Sequence, residues 1–138
     1  MIKYDSKHIN KIAFPLGGIG SGSISLAGNG SFVDAEINNR PNRGAHCKHT
    51  GFSVRAEKEG KIVDARMLCG DTEEYAIGEF YSAFCHFDDV SFEAEYPFAR
   101  VNLSDSVFPA AAVIKDFNPF IFIVKYIDSS ENTYQVFS

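Results

Sequence analysis

Apolar residues in this chain recur at every second position in short runs, and Gly, Pro or Asn closes nearly every run. A period of two places successive side chains on opposite faces of an extended strand, so each run reads as a strand with one dry and one wet face. Phe52, Val54 and Ala56 alternate with Ser53, Arg55 and Glu57. After Glu59-Gly60 the pattern resumes at Val63, Ala65 and Met67, which reads as a hairpin. Val90, Phe92 and Ala94 form the next run, which Pro97 stops before Ala99, Val101 and Leu103 begin another. Ala110, Ala112 and Ile114 follow Pro109 in the same way. Upstream, residues 19–26 and 32–37 flank Gly28-Asn29-Gly30, a turn whose residues tolerate positive φ. Residues 120–127 and 133–137 also read as strands, and the second runs to the end of the chain, as if the sheet were unfinished there. One short helix is expected at residues 71–80, with Asp71 as cap, Glu74 three positions on and Gly78 weakening it. Eight or nine short strands between tight turns predict an all-β fold, an antiparallel β-sandwich. It is expected to occupy residues 1–138 as one domain, incomplete at its C-terminal end.

Size and charge narrow the function classes. A chain of 138 residues can bury a core, but a TIM barrel or an (α/α) toroid needs roughly 200 residues or more. Residues 1–69 hold ten Lys/Arg against six Asp/Glu, residues 70–138 hold three against twelve, and the net charge is −5. No Lys/Arg stripe is present to neutralise phosphates, so nucleic acid is not an expected partner. No apolar run reaches the 18 residues of a transmembrane helix, and the N-terminus lacks the apolar core of a signal peptide. Three cysteines, Cys47, Cys69 and Cys85, are an odd number, which favours free thiols and a cytoplasmic location.

Several constellations could carry chemistry. The cluster Gly17-Gly18-Ile19-Gly20-Ser21-Gly22 has G-x-G-x-G spacing, lacks the Lys of a phosphate loop and continues as a strand through Ser23 to Leu26. Close approach of backbone to backbone, or to a neighbouring domain, is the expected use of these glycines. Asp34 with Glu36, and Glu93 with Glu95, place two carboxylates on one strand face, the minimum a glycosidase needs. Any solvated strand shows the same spacing, so neither pair is assigned as catalytic. His46-Cys47-x-His49 with Cys85-His86 could supply metal ligands, yet the usual C-x₂₋₄-C and H-x₃₋₅-H spacings are absent. Neither metal nor cofactor is expected. Residues 38–44, Asn-Asn-Arg-Pro-Asn-Arg-Gly, carry amide and guanidinium donors suited to sugar hydroxyls or carboxylates.

At that loop a resemblance emerges. Phe14-Pro15-Leu16-Gly17-Gly18-Ile19-Gly20-Ser21-Gly22-Ser23-Ile24 resembles the N-terminal signature of the non-lysosomal glucosylceramidases (bile-acid β-glucosidases), glycoside hydrolase family 116. Gly28-Asn29-Gly30-Ser31-Phe32 and Ile37-Asn38-Asn39-Arg40-Pro41-Asn42-Arg43-Gly44 extend the match in order. Further on, Glu95-Tyr96-Pro97-Phe98-Ala99-Arg100-Val101 and the set Asp105, Pro109, Phe117, Asn118, Pro119 and Phe120 fit two later family segments. The resemblance covers residues from about 12 to 120. It departs at Ala35 and Asn38, where members often carry Trp and Phe, and after Phe120, where Asp128-Ser129-Ser130-Glu131 lacks the usual proline.

The resemblance implies an N-terminal β-sandwich packed against a C-terminal (α/α)₆ domain that holds the retaining Glu/Asp pair, a domain absent from these residues. It implies β-glucosides as substrates of the whole enzyme, glucosylceramide and bile-acid glucosides in animal members. The chain alone is then expected to be non-catalytic and to dock onto the (α/α)₆ domain. Gly18, Gly20, Asn39, Arg40, Asn42 and Arg43 are the candidates for positions near substrate or interface. A free-standing carbohydrate-binding module is the competing reading; with no Trp, its sugar platform would fall to Tyr75, Tyr81 or Tyr96. An unfinished sheet near residues 120–137 would also leave an open edge through which the chain could pair with a second copy.

Overall fold

The computed structural model describes residues 1–17, 20–45, 47, 50–70, 84–119, 123–127 and 133–137. Their strands, in chain order, are β1 (Ile2–Tyr4), β2 (Ala13–Gly17), β3 (Ser23–Ala27), β4 (Phe32–Glu36), β5 (Ser53–Lys58) and β6 (Lys61–Met67). They continue as β7 (Asp89–Glu95), β8 (Phe98–Ser104), β9 (Ala112–Phe117), β10 (Ile123–Ile127) and β11 (Thr133–Phe137). All ladders are antiparallel, in a four-stranded sheet β1-β7-β8-β9, a three-stranded sheet β2-β3-β4, and two-stranded pairs β5-β6 and β10-β11. The expected helix at residues 71–80 lies outside the described residues. Among the described residues no helix is long and apolar enough to cross a membrane.

Alternation places the core where the sequence puts it. Val90 and Phe92 on β7, and Ala99, Val101 and Leu103 on β8, are all buried. They share one apolar cluster with Phe14 of β2, Leu26 of β3 and Ile9 from the preceding loop. The four-stranded and three-stranded sheets therefore pack face to face, and the fold is an antiparallel β-sandwich. Two strands go beyond the eight or nine expected. β1 has only three residues, too few to show a period, and β2 contains Pro15, which is tolerated because β2 is the edge of its sheet.

The Gly28-Asn29-Gly30 turn links β3 to β4 as expected, and it is buried. Gly30 has φ +92°, whereas a Cβ on Gly28 would collide with the Ile9 carbonyl. Asn29 is fully enclosed, at 0% exposure. Its Nδ2 donates to the Gly70 carbonyl at 3.1 Å, and its Oδ1 accepts from the Ser31 amide at 3.0 Å and the Ser31 hydroxyl at 2.7 Å. The Gly70 amide in turn donates to the Asn29 carbonyl at 2.8 Å.

The β5-β6 hairpin forms on Glu59-Gly60, both with positive φ (51° and 74°), but its second strand faces the other way from expectation. Ala56 pairs with Asp64 and Glu57 with Ile62, so Val63 is a bulge that shifts the register by one residue. Asp64 and Arg66 therefore share a face with Ala56 and Val54, while Ile62 and Val63 are exposed. This inward Arg is satisfied. Its Nε donates to Asp64 at 2.9 Å, and one terminal nitrogen donates to the His86 carbonyl at 2.7 Å and to the Asp105 carboxylate. The guanidinium also stands 5.9 Å from the Phe87 ring centre and 5.7 Å from that of Phe108, two cation–π contacts.

Asp105 is held to about 2, well below the usual carboxylate range, first by the Val107 amide and then by the Phe108 amide and Arg66. A carboxyl whose folded value lies below its ordinary 3.8 stabilises the fold above that value, and the contribution is lost as pH falls through about 2. Asp105→Asn is accordingly expected to lower the urea midpoint near neutral pH. Its gap from the parent should close between about pH 4 and about pH 2, and a gap constant over that range would contradict the assignment. Asn29→Ala leaves the Gly70 carbonyl and the Ser31 donors without partners, and is expected to cost about 2–4 kcal/mol in urea unfolding.

Candidate functional site

The β2–β3 turn and the loop leaving β4 face each other across a cleft, and glycine sets how closely they approach. Gly22 has φ +78°, and a Cβ there would sit 2.7 Å from the Glu36 carbonyl. A Cβ on Gly17 would sit 2.5 Å from the Gly22 carbonyl. The expected close approach of backbone to backbone is thus what these two glycines provide. β3 follows them as a strand, so no helix N-terminus is present for a phosphate.

The opposite wall is folded by the carboxylates of β4. The Asp34 carboxylate accepts from the Gly44 amide at 2.6 Å, and its own amide donates to the Ala45 carbonyl at 2.9 Å. Glu36 Oε1 accepts from the Asn42 amide at 3.4 Å and lies 3.5 Å from Arg43 Nε. Asn38 and Asn39 both take left-handed φ, 56° and 57°, and the Arg40 amide closes the turn on the Ile37 carbonyl at 3.3 Å. Asn is the side chain best suited to two successive left-handed positions. The carboxylate spacing noted in the sequence therefore serves to shape a loop. The other pair is engaged as well: Glu93 lies 2.8 Å from Lys3, which holds its carboxyl below the usual range, and Glu95 lies 3.1 Å from the N-terminal ammonium.

The cleft between these walls has a volume of about 960 Å³, within the range of ligand and docking clefts. Tyr96 and Asn118 complete its lining. Asn118 is buried, its Nδ2 donates to the Pro15 carbonyl at 2.7 Å, and its amide donates to the Pro97 carbonyl at 2.8 Å. Through its side chain and its amide, this one residue ties the end of β9 to β2 and to the β7–β8 turn. The Tyr96 ring leans on Phe14 at 6.5 Å between centres and is 47% exposed.

Of the six residues singled out in the sequence, Gly20, Asn39, Arg40 and Arg43 line this cleft. Asn42 belongs to the same loop, its amide bound to Glu36, and Gly18 lies outside the described residues. Asn118 was missed as a site residue. Its partner carbonyl is 103 positions away, so no local pattern points to it. Phe-Asn-Pro before a break in alternation was the one available cue.

Part of the candidate metal constellation falls outside the described residues. His46 and His49 lie outside the described residues, and among the described residues no group of three His, Cys, Asp or Glu could hold a metal ion. No disulfide joins Cys47, Cys69 and Cys85. Burial, the largest influence, raises the Cys47 thiol above its ordinary value.

The fold and the cleft define an all-β sandwich domain with a polar, loop-built recess at one end. Residues 13–130 match the family described as "beta-glucosidase 2, glycosyl-hydrolase family 116 N-term". The chain belongs to this family, the N-terminal domain of the family 116 glycosyl hydrolases. A comparison with curated proteins finds no match.

Gly22→Ala is expected to push the β2–β3 turn off Glu36. Amide resonances of residues 36–44 should then shift in a two-dimensional ¹H–¹⁵N spectrum, while those of β7 and β8 stay in place. Unchanged loop resonances would show that the glycine contact does not set the cleft.

Proposed function

We propose that this chain is the non-catalytic N-terminal β-sandwich of a β-glucosidase- or glucosylceramidase-like glycoside hydrolase. It docks onto and supports a separate catalytic (α/α)₆ domain, with the cleft end turned toward that domain. The observation that carries this reading is the use of the β4 acids. Asp34 and Glu36 accept from the amides of Gly44 and Asn42 and so fold the loop beside the cleft into a pre-shaped polar surface. A retaining mechanism needs two carboxyl groups about 5–5.5 Å apart across a bound sugar, one of them raised in pKa. Those groups come from the partner domain in this reading, and β-glucosides are the substrates of the assembled enzyme. Three cysteines with no disulfide among them support a reducing, cytoplasmic setting.

A second reading, a free-standing carbohydrate-binding module, draws on one observation, the half-exposed Tyr96 ring on the cleft. Titration with glucosides followed by tyrosine fluorescence separates the two, since docking without sugar affinity fits only the first.

The isolated chain is expected to hydrolyse no aryl β-glucoside. It should co-elute with a family (α/α)₆ domain supplied as a separate polypeptide and raise that domain's thermal midpoint. Turnover by the isolated chain that Glu36→Gln abolishes would overturn the reading, as would the absence of any complex.

A further inference from the structure

The loop leaving β4 engages its charged groups unevenly. Asp34 and Glu36 are taken up by Gly44 and Asn42, and Arg43 is paired with Glu36 at 3.5 Å. Arg40 also lines the cleft, yet among the described residues its guanidinium has no hydrogen-bond or ion-pair partner. Its backbone is fixed all the same, by the two left-handed asparagines before it and the bond from its amide to Ile37. A cation presented from an already ordered loop loses little backbone freedom on binding, so more of the contact energy appears as affinity.

The surroundings of Arg40 are those of an interface anchor. Ile37 at 52% exposure and Tyr96 at 47% also lie on the cleft, and two exposed apolar groups beside one free cation are costly to leave in water. Arg and Tyr ringed by apolar contacts is the composition found where truncation costs binding most. The other arginine lining the cleft, Arg43, already lies 3.5 Å from Glu36, so among the described residues Arg40 is the lining cation left to meet an incoming anion. Its rigid fork of donors matches one planar acceptor, a carboxylate, in bidentate geometry.

We infer that Arg40 anchors docking at the cleft and that its partner is a carboxylate side chain on the docked catalytic domain, with Ile37 and Tyr96 excluding water around the pair. This inference rests on the docking reading above and names the chemistry of that contact.

The test is a double-mutant cycle on the complex with the (α/α)₆ domain, measured by titration calorimetry. Arg40→Ala is expected to weaken binding roughly ten- to a hundredfold, and Arg40→Lys to recover only part of it, because an ammonium keeps the charge and loses the fork. Arg55→Ala, on the exposed face of β5, serves as the control and should bind like the parent. Circular dichroism of each variant should match the parent, which removes misfolding as a cause. Alanine replacement of the surface Asp and Glu residues of the catalytic domain should reveal one whose loss is strongly non-additive with Arg40→Ala. If the parent chain docks but Arg40→Ala docks equally well, or no carboxylate couples to it, this inference fails and the docking reading stands. If the parent chain does not dock, both fail.

Discussion

The buried amide of Asn29 ties together the parts of the structure on which the remainder is built. The sheets are narrow, four, three and two strands wide, and narrow sheets leave many backbone groups without a ladder partner. Asn29 takes up the Gly70 carbonyl and the two donors of Ser31, and so joins the β3–β4 turn to the segment after β6. Asn118 does the same between β2 and the end of β9. Arg66 closes the third gap, between β6, the His86 carbonyl and the Asp105 turn, and two phenylalanine rings shield it. Each tie is buried or half-buried and joins segments far apart in sequence. Apolar burial alone would hold the sheets together without setting their registry, whereas directional bonds at these three places do set it.

The cleft follows from that registry. With β2 anchored by Asn118, the glycine turn after β2 reaches the end of β4, and the carboxylates of β4 turn the following loop back beside it. The result is a recess whose polar groups are mostly committed to one another and whose shape exists before any partner arrives. An accessory domain benefits from such a surface because ordering costs are met during folding rather than during association.

Much of the fold was legible in the sequence, and the failures share one physical cause. The β7 and β8 runs read correctly because Phe92, Val101 and their neighbours bury apolar surface on every second residue, with no competing interaction. The same logic reversed β6, where Val63 looks inward-facing by period but is a bulge, and Arg66 turns inward because Asp64, Asp105 and the His86 carbonyl satisfy it. Hydropathy counts the cost of burying a charge and not the partners that offset it. Asn29 read only as a turn residue for a related reason, since its buried role is set by Gly70, 41 positions away. In the cleft, the Asn-Arg loop and the glycines were visible as composition. The engagement of Asp34 and Glu36 with backbone amides was not, because a carboxylate pair on a strand face has the same spacing whether it shapes a loop or cleaves a bond.

The central claim is that the cleft end of this sandwich is its docking face. Hydrogen–deuterium exchange of the chain, alone and mixed with a family (α/α)₆ catalytic domain, tests it most directly. The account predicts added protection at amides around Gly20–Gly22, along residues 38–44 and at Tyr96, with the Glu59-Gly60 hairpin tip unchanged. Protection confined to the hairpin tip, or none around the cleft in a complex that forms, would contradict it.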